Sequence, residues 1–71
     1  MKLDLHGVKH QDVKRQLDVF FWEAMTKKIS QIEVVTGHSK TMKDLVYETC
    51  NEYGFVVKDG LINKGYLIVD L

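Results

Sequence analysis

The sequence predicts a mixed α/β fold, specifically an α+β two-layer sandwich with two helices on one face of a four-stranded mixed sheet. Three observations carry this. Short β-type runs alternate with two segments of helical periodicity, in the order β-α-β-α-β-β. A strand–helix–strand unit closes right-handed, with its two strands parallel. Two helices suffice to cover only one face of four strands, so the other face stays open.

The first element is Lys2-Leu3-Asp4-Leu5-His6, a strand by its alternation, ended by Gly7. Leu3 and Leu5 point one way; Lys2, Asp4 and His6 point the other. From about Lys9 to Lys28, Val13, Leu17, Phe20, Phe21, Ala24 and Met25 form one helical stripe. Gln11 and Asp12 lie near its first turn and Lys27 and Lys28 in its last, as the helix dipole favours. Trp22 lies off the stripe, at its edge. Ile32-Glu33-Val34-Val35-Thr36 is β-branched and stopped by Gly37, a second strand. Met42, Leu45, Val46, Thr49, Cys50 and Tyr53 mark a second amphipathic helix from about Lys40 to Tyr53, capped by Gly54. Phe55 to Lys58 reads as a third strand, Asp59-Gly60 as a turn, and Gly65 to Leu71 as the last strand. Leu61 to Lys64 either extend that hairpin or connect it. The open face should carry Asp4, His6, Glu33, Val35, Tyr66, Ile68 and Asp70.

At 71 residues there is room for one domain, spanning 1–71. The 45% hydrophobic and 28% charged content is that of an ordinary globular protein and argues against a disordered chain. Ten Lys+Arg balance ten Asp+Glu, which excludes a strongly basic nucleic-acid binder but not a local basic patch. One cysteine and the absence of a signal peptide or a long apolar run point to a cytoplasmic protein with no membrane association. So small a domain has a thin margin of stability, which weak self-association would help.

Ligands in open α/β sheets gather beyond the C-terminal ends of parallel strands. Two such ends carry the most unusual local sequence: His6-Gly7 and Thr36-Gly37-His38-Ser39, each leading into a helix whose free N–H groups suit phosphate. Lys9, His10, His38, Lys40 and Lys43 surround them. Residues 1–43 hold 8 basic and 5 acidic side chains, a net of +3, and the remainder is −3. The basic half therefore coincides with the two turns, as an anionic partner would want, although a solvated face gives the same pattern. Asp4 and His6 share a face, so the carboxylate can orient the imidazole as a general base. The alternative is that Asp4 caps a backbone group and His6 merely ends a strand. His38 is either a phosphate contact or an exposed loop residue. Cys50, Phe20, Phe21 and Tyr53 read as core, and Tyr66 as the stacking candidate on the open face. Asp4, His6 and His38 fit no dedicated zinc spacing.

Leu3-Asp4-Leu5-His6-Gly7 resembles the LDLHG signature of the Smr (small MutS-related) domain family. Thr36-Gly37-His38 resembles the start of its second motif, TGxG or HGxG, and Tyr66 to Leu71 its last strand. The resemblance implies a fold like the C-terminal domain of bacterial translation initiation factor three, nucleic-acid binding, and endonuclease activity on RNA or DNA. It implies that Asp4 and His6 matter for cleavage and that Thr36, Gly37 and His38 contact nucleic acid. Ser39 stands where the motif has its second Gly, and the loop before Met42 is a residue shorter than usual. No extension precedes the first motif, and the Met1 opening suits a stand-alone protein. The expectation is a nucleic-acid-binding domain with an open question of endonuclease activity, RNA preferred. Its contacts would be Gly7, Lys9, Thr36, Gly37, His38, Ser39, Lys40, Lys43 and Tyr66. No cofactor is expected, with a divalent metal left open. The alternatives are a non-catalytic binding module, or a protein-interaction or dimerisation domain that uses the open face.

Overall fold

A computed structural model of the chain describes residues 1–59 and 65–71. The elements are β1 (Lys2–Asp4), α1 (His10–Thr26), β2 (Gln31–Val35), α2 (Lys40–Tyr53), β3 (Val56–Asp59) and β4 (Tyr66–Asp70). They form a sheet in the order β1-β2-β4-β3. β1 and β2, joined through α1, pair in parallel; β2 with β4 and β4 with β3 pair antiparallel. The element order β-α-β-α-β-β and the parallel β1–β2 pair are those the sequence predicts.

Period two divides each strand between two environments. Ile32 and Val34 of β2, and Leu67 and Val69 of β4, are buried against the helices. They meet Val13, Leu17, Phe21 and Ala24 of α1 and Met42, Val46 and Cys50 of α2. Leu5 closes the same core just beyond β1. Phe21 packs edge-on to Tyr53 and to Phe55, with ring centroids 5.1 Å apart in each case. This geometry favours the ring quadrupoles and ties α1 to the end of α2.

The opposite face has no helix over it. Its polar residues pair across strands instead: Lys2 with Glu33 at 3.9 Å, Gln31 with Asp70 at 2.9 Å and Lys58 with Asp70 at 2.8 Å. Val35, Tyr66 and Ile68 are half-buried there rather than fully exposed, because each leans on neighbouring strands.

Helix ends follow their local chemistry. Ser39 caps α2, its Oγ accepting from the Met42 N–H at 3.1 Å. Gly54 adopts φ 78° at the other end, and Phe55 N–H reaches back to Cys50 O at 2.9 Å, a Schellman ending.

Several sequence expectations need correction. β1 ends at Asp4, two residues early, because the chain turns at Leu5–Val8. α1 stops at Thr26, so Lys27 is its C-cap and Lys28 lies beyond it at φ 57°. Met25 and Tyr53 sit at stripe positions yet are 42% and 38% exposed. Met25 lies at the margin of the stripe, and Tyr53 turns its hydroxyl outward to donate to Asp18 at 2.7 Å. Phe20 is half-buried, and Trp22 is fully out, at 71% exposure. β3 starts and ends one residue later than the sequence suggests, with Asp59 inside the strand. Gly60, and Leu61 to Lys64, lie outside the described residues.

Candidate functional site

The parallel pair β1–β2 directs two chain turns to one end of the sheet. After β1, Asp4 folds its carboxylate onto the chain, and Oδ1 accepts from the His6 backbone N–H at 2.8 Å. Short acidic side chains make such turns readily. Val8 N–H then donates to Leu5 O at 3.0 Å across Gly7, whose φ of 84° a side chain would strain. α1 follows, with Lys9 as its N-cap and no side-chain cap hydrogen bond.

After β2 the second turn is fixed from within. The N–H groups of Thr36 and Gly37 both donate to Gly65 O at 2.9 Å. The Thr36 hydroxyl is turned inward as well, donating to Gly37 O at 2.9 Å, and the residue is 2% exposed. The loop therefore spends its first two N–H groups on its own framework. What it presents outward is His38, Ser39 and Lys40, all exposed. The Ser39 hydroxyl serves the cap, and Lys40 pairs with Asp44 at 3.3 Å. Lys9 and Lys43 form no ion pair among the described residues, and Lys43 is half-buried.

The two turns meet at Gly37. A Cβ built there would lie 3.0 Å from His6 Cδ2, so the imidazole rests on the bare Cα of this glycine. A Cβ at Gly65 would likewise come within 3.2 Å of Gly37 Cα. His6 and Gly65 thus both pack against Gly37, and a side chain at either glycine would crowd this stack. Sequence reasoning missed Gly65, because its role rests on a contact 28 residues away in the chain that no local pattern reveals.

Next to this stack, register places Asp4 beside Val35 and Val35 beside Tyr66 on the open face. Two strand spacings separate Asp4 from Tyr66, about 10 Å. The structure therefore brings together Asp4, His6, Gly37, His38 and Tyr66 at one end of the sheet. It turns the Asp4 carboxylate toward the His6 backbone rather than the ring. His10 is exposed at the first position of α1. Cys50 takes no part: it is buried, and desolvation pushes its thiol up to about 11. Among the described residues no three His, Cys, Asp or Glu side chains are close enough to hold a metal ion, so Asp4, His6 and His38 make no ligand set.

A family model for the Smr domain matches residues 3–69. The chain belongs to the Smr domain family. No curated protein and no solved structure matches it. The match begins at Leu3 and takes in both turns and nearly all of β4. In this Smr domain the departure at Ser39 is readily accommodated. Its φ of −73° is one any residue adopts, and its hydroxyl supplies a helix cap that glycine lacks. No helix among the described residues is long and apolar enough to cross a membrane.

Proposed function

We propose that this Smr domain binds nucleic acid where its two turns meet and cleaves RNA there, with His6 as the general base. The observation that carries this reading is the seating of the His6 imidazole on Gly37, which joins the turn leading into α1 to the turn leading into α2. An exposed imidazole held against a turn that opens a helix supplies a proton acceptor, and the first-turn N–H groups of α1 and α2 supply the general means to hold an anion. His6 takes the proton from a ribose 2′-hydroxyl. The resulting oxygen attacks the adjacent phosphorus, and the P–O bond to the 5′-oxygen breaks. That oxygen leaves with a proton from water. Lys9 and Lys43 balance the phosphate charge, and Tyr66 stacks on a neighbouring base. Asp4 acts through the turn: by holding the His6 N–H it fixes the backbone that carries the ring. Preference for RNA follows from use of the 2′-hydroxyl as nucleophile.

One observation favours a second reading, a binding module without catalysis: the Asp4 carboxylate is engaged with backbone and not with the imidazole. Cleavage and binding measured side by side separate the two. His6→Ala should slow cleavage of a structured RNA by about 10²–10⁴-fold while leaving its affinity nearly unchanged. An RNA with 2′-deoxy substitution at the cut site should bind and stay whole. A His6→Ala protein that cuts as fast as the parent removes the catalytic assignment. A parent that binds but never cuts, with or without divalent metal, establishes the binding module.

A further inference from the structure

β1 is an outer strand of the sheet, and its far edge has no neighbour among the described strands. On the inner side, Leu5 N–H donates to Val35 O at 2.8 Å and Glu33 N–H to Met1 O at 2.9 Å. Backbone groups alternate in direction along a strand, so those of Lys2 and Asp4 point to the free edge. On the helix side of that edge, Leu3, Arg15, Gln16, Val19, Phe20 and Glu23 line an apolar depression of about 280 Å³. Val19 is 63% exposed, a high value for an aliphatic residue beside an unfilled depression.

We propose that this edge is the interface of a weak homodimer, in which β1 pairs antiparallel with β1 of a second copy. The charge pattern selects that occupant. A two-fold axis beside Leu3 sets Leu3 opposite the partner subunit's Leu3, and Lys2 opposite the partner subunit's Asp4. These Lys–Asp positions are the hydrogen-bonded kind, since their backbones already face outward. α1 repeats the symmetry independently. Arg15 and Glu23 stand four residues before and after Val19, which lines the same depression as Leu3. The same axis therefore brings Arg15 against the partner subunit's Glu23, and Val19 against the partner subunit's Val19. Both elements are self-complementary about one line, as an isologous interface requires.

Charges on an edge strand ordinarily discourage pairing. Here they discourage strands of other sequence and admit the chain's own. The existing partners are no obstacle: Lys2 meets Glu33 at 3.9 Å in an exposed pair, and Asp4 accepts from the His6 N–H through Oδ1, which leaves Oδ2 for a partner. Arg15 meets Asp12 at 3.4 Å and Glu23 meets Lys27 at 2.9 Å in exposed pairs, which exchange at little cost.

Sedimentation equilibrium of the 71-residue chain, from about 10 µM to about 1 mM, tests the proposal. The mass should rise from monomer toward dimer. Arg15→Glu and Glu23→Arg, each alone, should weaken association at least about tenfold, because like charges then face each other twice. Mixed in equal amounts they should associate again, since one variant is acidic and the other basic at both positions. All of these residues are exposed on α1, so the variants should keep the parent's circular dichroism. A parent that stays monomeric throughout, single variants that associate as tightly as the parent, or a mixture no tighter than its components would each overturn the proposal. Neither Arg15 nor Glu23 belongs to the candidate site, so the two variants read the interface separately from any cleavage result.

Discussion

Two glycines shape the space in which the imidazole of His6 sits. Gly37 combines φ 69° with a Cα that the ring covers, and Gly65 leaves room for Gly37. Alanine at position 37 would meet both problems at once. A left-handed conformation costs a non-glycine residue roughly 1–2 kcal/mol, and the new Cβ would press on His6. Gly37→Ala should therefore lower stability by about that amount and shift the His6 ring resonances in an NMR spectrum. Unchanged His6 signals would mean the ring does not rest on this glycine. Sequence reasoning reached Asp4, His6 and Gly37 because a turn after a strand leaves a residue-level mark. It left the direction of the Asp4 carboxylate open between the imidazole and a backbone group, and the structure has the backbone group. The imidazole and the His6 N–H are both within range of so short a side chain, and only the backbone path after β1 decides between them.

At the scale of elements, periodicity located all six, and the errors gather where an element meets solvent. A stripe of apolar residues fixes which way α1 faces but not how wide its buried strip is, so Met25 falls outside it. Tyr53 lies outside for another reason: its hydroxyl has Asp18 to bond, while its ring stacks on Phe55 at 5.2 Å. The cross-strand pairs of the open face were legible only as alternation; their partners depend on register. One of them gives the sheet a pH dependence. Asp70 accepts from Lys58 and from Gln31, and these hydrogen bonds, Lys58 first, hold its carboxyl below the ordinary 3.8. A carboxylate favoured in the folded state adds stability at pH values above its unfolded pKa. That contribution disappears as the pH falls through the lowered folded value. Asp70→Asn should therefore flatten the loss of stability on acidification below about pH 4, as read from urea midpoints across a pH series. A variant whose midpoints fall as steeply as the parent's would show that the Lys58–Gln31 clasp does not couple to folding.

Across the whole molecule, a net charge of zero conceals a division between a +3 stretch and a −3 stretch, and the fold narrows that division further. Lys14 is tied to Glu52 at 2.9 Å, Lys27 to Glu23 at 2.9 Å and Lys40 to Asp44 at 3.3 Å. The cations around the two turns that make no ion pair among the described residues are Lys9 and Lys43. Pairing lowers a cation's attraction for phosphate, because the anion must be displaced or remain beside the incoming charge. Contacts to phosphate release condensed counterions, so affinity for a single strand falls with log salt at a slope of about −0.7 per phosphate neutralised. Lys9→Ala with Lys43→Ala should therefore flatten the slope by about 1.4. Lys40→Ala should change it less than either of these alone, since Asp44 already offsets that charge. A salt titration of RNA binding with the three variants distinguishes these cases. If Lys40→Ala flattens the slope as much as Lys43→Ala, Asp44 gives way when the phosphate arrives, and the anion site is centred on the N-terminus of α2. If the double variant leaves the slope unchanged, the phosphates run elsewhere on the surface, and the meeting of the two turns is not where nucleic acid binds.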